Sequence, residues 1–205
     1  MIKEREVKKM NSTYIIIGII AVIFLAIIFY IKTTIDEKKG ENSEEKKRVK
    51  EIVEKVTKDS EYKNIYATWE EFSIGGGGRT VTTTNIYTYY AVGFKPGSLY
   101  VIPLSFDGGD ISYGEAMKFD KENIGMINAK EGKNWIEIYD LEKKPVVKLM
   151  VGPSETKEDK YHPVNISQKE EYKEFCNFIS EFMREVNTYR NVEVTGKIGR
   201  PLQKK

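Results

Sequence analysis

The chain is poor in the residues from which most enzyme and metal sites are built. Cys176 is its only cysteine and His162 its only histidine. A single thiol excludes an internal disulfide framework and a cysteine-rich zinc site, although it does not fix the compartment. A single imidazole leaves no histidine pair for a metal or a catalytic dyad; His162, beside Asp159 and Tyr161 and just before Pro163, reads as a loop residue. Charge of one sign is also lacking. With 33 Lys and Arg against 31 Asp and Glu the net charge is +2, too little to imply a nucleic-acid partner. No catalytic or metal-binding pattern rises above background, so no catalytic residue, cofactor or metal is expected and the chain reads as non-enzymatic.

The weaker patterns have plainer readings. Gly75-Gly76-Gly77-Gly78-Arg79 has the backbone freedom to cradle a phosphate. It lies between two strand patterns, without a following helix or the Lys-Ser/Thr pair of a P-loop, and reads as a hairpin tip. Asp107 and Asp110 flank two glycines, but calcium needs several more oxygens at fixed spacing, so a turn is expected. Cys176 shares a helical face with Phe175 and Ile179, the setting of a buried, inert thiol.

What the chain has in abundance is one long apolar run. Residues 14–31, YIIIGIIAVIFLAIIFYI, carry no charge. As a helix they span roughly 27 Å, close to the hydrocarbon thickness of a bilayer. Tyr14 and Tyr30 stand at the two ends, where amphipathic rings favour the interface. The run exceeds a signal peptide's apolar region, and no small-x-small cleavage site follows Tyr30; an uncleaved single-pass membrane anchor is the better reading. Gly18 has no small partner four residues away, so no GxxxG pairing face is present. Basic residues flank both sides: Lys3, Arg5, Lys8 and Lys9 before the run, Lys32, Lys38, Lys39 and a further cluster after it. The wider count leans slightly toward a cytoplasmic position for the downstream domain, with sidedness left open.

The rest divides into a tail (1–13), the span (14–31), a charged linker (32–60), one domain (61–190) and a basic tail (191–205). In the linker Val49, Ile52, Val53 and Val56 recur at helical spacing, after a helix start at Asn42 and Glu45. Two turns of stripe are too short for a stable coiled-coil dimer, so the stripe is expected to lie on the domain. From Tyr62 the period changes to that of strands. About seven strands are expected: 62–72, a run ending at Phe94, 98–106, 115–119, 124–129, 135–141 and 146–151. Lys95-Pro96-Gly97 reads as a turn, and Pro103 places an edge or bulge in its strand. Ser167-Gln168-Lys169-Glu170 matches a capping box opening an amphipathic helix over 167–187, with Tyr172, Phe175, Cys176, Ile179, Phe182, Met183 and Val186 on its apolar face.

Seven short antiparallel strands closed by one C-terminal amphipathic helix resemble the pleckstrin-homology-like fold of small membrane-associated bacterial proteins. The resemblance covers about residues 62–187 and rests on element order. It implies a β-barrel or sandwich, α+β and mainly β, closed by the helix. The terminal helix lacks the tryptophan common in eukaryotic members, with Phe178 and Phe182 in its place. Lipid-binding members cluster basic residues around the first hairpin, whereas this one offers Lys63 and Arg79, so phosphoinositide binding is not expected. Two functions are weighed. The first is a membrane-tethered binding or scaffold module taking a protein partner on a strand edge, beside Pro103. The second is a membrane-held lipid- or small-ligand-binding β domain, prompted by Tyr87, Tyr89, Tyr90 and Tyr100, whose bland reading is cross-strand packing. The basic tail, Lys197, Arg200, Lys204 and Lys205, suits anionic lipid heads if it is cytoplasmic and is otherwise a solvated tail.

Overall fold

The structure, a computed structural model, describes residues 2–41, 43–75, 82–107, 110–130, 135–155 and 163–190. The chain separates into two compact units, residues 1–39 and 40–205. The first is built on the helix α1 (Ile2–Glu41). Within it, residues 17–35 form a 19-residue segment long and apolar enough to cross a membrane, with no part of it buried by protein. Ile20, Phe24, Leu25 and Phe29 all stand exposed, which water penalises and lipid does not.

The second unit opens with α2 (Glu44–Thr57). Its N-cap is Ser43, whose Oγ accepts from the Lys46 N–H at 3.2 Å, with Glu44 and Glu45 in the positive first turn. The cap therefore falls one residue beyond the expected Asn42. Lys58 ends the helix in the left-handed region (φ 54°), its N–H returning to the Glu54 carbonyl. Val49, Ile52 and Val53 are buried, so the apolar stripe lies on the body. Gly93 lets it come close: a Cβ there would stand 2.7 Å from Val53 Cγ1.

Next comes an antiparallel sheet: β1 (Lys63–Gly75), β2 (Thr82–Lys95), β3 (Ser98–Asp107), β4 (Asp110–Tyr113), β5 (Met117–Phe119), β6 (Met126–Lys130), β7 (Trp135–Tyr139) and β8 (Pro145–Met150). The order is β4-β3-β2-β1-β8-β7-β6, with β5 also on β3. The sheet is not closed into a barrel. Its end strands do not meet, and its two halves are joined at one pair, Thr68 with Met150. Closure is not needed to bury β1–β3, because both of their faces are covered. Ile65, Ala67, Val92, Phe94, Leu99 and Val101 enter one core with residues of β6–β8 and the C-terminal helix. Tyr66, Ala91, Ile102 and Leu104 enter a second core with the α2 stripe.

The β2–β3 turn is Lys95-Pro96-Gly97-Ser98, with Gly97 at φ 76° as a type II turn requires after proline. Pro103 does not lie at an edge; of the two alternatives in the sequence reading, a local irregularity in the pairing is the one found. β3 pairs with β2 along one side, and along the other its partner changes from β5 at Val101 to β4 at Leu104. The Pro103 carbonyl faces that gap, accepting from the Gly114 N–H at 2.9 Å. A strand residue's N and O point the same way, so the missing donor is never asked of β2.

A two-stranded ladder of β9 (Ser154–Glu155) and β10 (Ile166–Ser167) leads into α3 (Lys169–Tyr189). The capping box does not form. Ser167 is a buried strand residue paired with Ser154, and Gln168 occupies the N-cap position without a side-chain cap bond. The Gln168 amide is engaged elsewhere: Oε1 accepts from the Tyr66 N–H at 2.9 Å, and Nε2 donates to the carbonyls of Tyr66 (2.9 Å) and Gly152 (2.8 Å). At the other end of α3, Asn187 does the same to the free side of β6, accepting from the Ile127 N–H and donating to its carbonyl, both at 3.1 Å. Each amide substitutes for a neighbouring strand.

Candidate functional site: a projecting ribbon and a carboxylate-rimmed pocket

β1 and β2 pair over their whole described length, but the rest of the sheet does not extend with them. β8 reaches β1 only at Thr68, and β3 pairs with β2 only from Tyr89 onward. Residues 69–75 and 82–88 therefore form a ribbon paired only with itself among the described residues. Seven residues of strand extend about 23 Å. Phe72 is 60% and Ile86 52% exposed, on opposite faces of the ribbon. The two outer edges differ. That of β1 carries Glu70 and Glu71, whereas that of β2, Thr82 to Thr88, carries neither charge nor proline. Charge and proline are what usually protect an edge from accepting another strand. At the ribbon's root Trp69 and Trp135 meet edge to face at 6.3 Å, and Lys148 Nζ lies 5.5 Å from the Trp69 ring centre.

The second feature is a pocket of about 260 Å³ between α3 and the β2–β3 turn. Its floor is aromatic. The Phe178 ring lies 5.2 Å from those of Phe94 and Phe182, nearly parallel to the latter at 20°. Its rim is acidic, with Glu61, Glu174, Glu181 and Glu185 against Lys63 and Lys95. Both lysines are already held: Lys63 by Glu174 at 2.9 Å, and Lys95 by Asp59 at 2.5 Å and Glu61 at 3.4 Å. The Lys95 bond holds the Asp59 carboxyl below the usual carboxylate range, and Asp59 in turn raises Lys95. Glu185 meets Lys121 at 3.7 Å, while Glu181 meets no cation among the described residues.

The residues singled out in the sequence do not converge. Gly76 to Arg79, His162 with Asp159 and Tyr161, and the basic tail lie outside the described residues. Asp107 and Asp110 pair as the closing residues of the β3–β4 hairpin, as a turn requires. No group of three metal-ligating side chains occurs among the described residues. Cys176 is half-buried rather than fully so, and burial pushes its thiol above the ordinary range. The tyrosines pack within the body or bond across the ribbon: Tyr90 is in the core, Tyr89 meets Phe106 edge to face at 5.1 Å, Tyr100 meets Tyr62, just before β1, at 5.3 Å, and the Tyr87 hydroxyl donates to Glu70 at 2.9 Å. Tyr139, bonded to Glu137, is pushed up to about 12. The ribbon was missed in the sequence because it depends on which strands stop short of their neighbours, and the pocket because it forms where α3 meets the β2–β3 turn about 80 residues earlier.

The body is thus an open antiparallel sheet with a helix on each face, preceded by one apolar helix. Comparison with family models, curated proteins and solved structures yields no match.

Proposed function

We propose that this chain is a single-pass membrane protein whose body is a non-enzymatic binding module, and that the partner is an extended segment of another protein added along the outer edge of β2. The observation that carries this reading is that the outer edge of β2 from Thr82 to Thr88 pairs with no third strand among the described residues and carries no charge or proline, beside the exposed Ile86. Strand addition draws its affinity from main-chain bonds, and side chains that alternate across the edge supply the choice of partner. The apolar helix keeps the module at a bilayer, where partners in the same membrane are concentrated. The order β4-β3-β2-β1 beside β8-β7-β6, with β5 also on β3 and α3 against the sheet, supports reading the body as similar to the pleckstrin-homology-like fold with its sheet left open.

Photo-crosslinking from position 86 of the full chain, in its own cells, tests this. The expected product is one protein joined through an extended segment. A synthetic peptide of that segment should slow hydrogen exchange at alternate amides of Thr82 to Thr88. Crosslinking to lipid alone, or a peptide that leaves those amides unprotected, contradicts it. A second reading, a module that also holds a small ligand, is favoured by the aromatic-floored pocket.

A further inference from the structure

We propose that the pocket beneath the β2–β3 turn takes a primary alkylammonium group, with its aliphatic stem on Phe94, Phe178 and Phe182 and its charge against Glu181. The inference deepens the ligand-holding reading and is independent of the β2 edge. Two features of different kind define this ligand. The floor is apolar and aromatic, and Phe178 is only half-buried, so its ring offers a face to a methylene chain or a cation. The rim carries four carboxylates against two ammonium groups, two negative charges in excess, and both lysines are bonded to acids already. Glu181 stands three residues from Phe178 and four from Glu185 on one helix, which sets its carboxylate beside the aromatic floor.

The alternatives fit less well. A neutral apolar ligand covers the floor but strips water from an unbalanced carboxylate without replacing its bonds. An anion meets like charge. A drug-sized ligand is too large, because such sites run from about 300 Å³ upward. A flexible four- or five-carbon stem ending in a compact charge matches both size and polarity. That chemistry occurs in a lysine side chain of a partner and in a free aliphatic amine.

Saturation-transfer NMR on the full chain in phospholipid nanodiscs distinguishes these cases with three probes: N-acetyl-lysine N-methylamide, 1-aminopentane, and N-acetyl-norleucine N-methylamide as the uncharged counterpart. The expected result is binding of at least one amine and little of the norleucine compound. The lysine probe alone points to a partner side chain, and the pentylamine alone to a free amine. Glu181→Gln, an exposed and isosteric change, should weaken amine binding about three- to fivefold, and raising salt to 0.5 M should weaken it further. Norleucine binding as well as lysine, or an amine affinity unchanged in E181Q, overturns the charge claim while leaving a ligand pocket. Failure of all three probes overturns the pocket as a ligand site as well.

Discussion

Two side-chain amides do more for this body than any ion pair. Gln168 and Asn187 each complete the hydrogen bonding of a strand residue that has no strand on one side among the described residues, Tyr66 and Ile127. Removing a buried partner costs the desolvation of the groups left behind, about 1–3 kcal/mol each. Gln168→Ala strands three backbone groups and should destabilise the body by about 3 kcal/mol, read by urea denaturation; Asn187→Ala should cost about 2 kcal/mol. Neither role was legible in the sequence, since the partners lie 102 and 60 residues away. Asp59 and Lys95 make a pH-dependent contribution at the surface. Asp59 is lowered on folding, so its share is present above the ordinary carboxylate range and is lost as pH falls through the folded value. Lys95 is raised, so its share is present below the ordinary lysine range and is lost as pH rises through the folded value. The difference in Tm between the native chain and Asp59→Asn should therefore be flat from about pH 5 to 9 and shrink toward pH 3. Cys176 should alkylate with iodoacetamide more slowly at pH 8 than a free cysteine, because its thiol is shifted up.

Elements declared themselves in the sequence where one face alone had to be apolar. The stripes of α2 and α3 keep to helical spacing, and their buried residues are those the spacing selects: Val49, Ile52 and Val53 on one, Phe175, Ile179 and Phe182 on the other. β1 and β3 lie within a few residues of the expected 62–72 and 98–106, and β2 ends one residue past Phe94; what the sequence did not show is that the paired part of β1–β3 is covered on both faces. The short β4 was missed altogether, because the closing pair of its hairpin, Asp107 with Asp110, reads as turn from end to end. The capping box failed because Ser167 is taken up by the β9–β10 ladder, which leaves Gln168 at the N-cap position with its amide bonded to β1. Packing of α2 on the sheet runs through Gly93. Gly93→Val, which forces volume against Val53, should cost about 1–3 kcal/mol in the same denaturation experiment. The ribbon is expected to behave oppositely, since the proposed function gives it binding while its outer edge packs on no third strand among the described residues. Ile86→Lys places a charge on the exposed edge and should leave stability within about 0.5 kcal/mol while lowering partner capture roughly tenfold. Equal capture by this variant would remove the β2 edge from the account.

At the scale of the whole molecule the chain joins one apolar helix to one folded body, and the proposed function needs both. The apolar run was plain in the sequence as residues 14–31, because it carries no charge over the length of a bilayer core, and the structure carries it in α1 as the segment 17–35. A secretory signal shares that composition, and the two differ in fate: a signal is cut away, an anchor stays. The direct measurement is the mass and location of the chain made in its own cells. After cell breakage and washing at high pH, the account predicts the uncut chain, with residues 17–35 still attached, in the membrane pellet and released only by detergent. A body recovered in the supernatant, shortened just past the apolar helix, would contradict it.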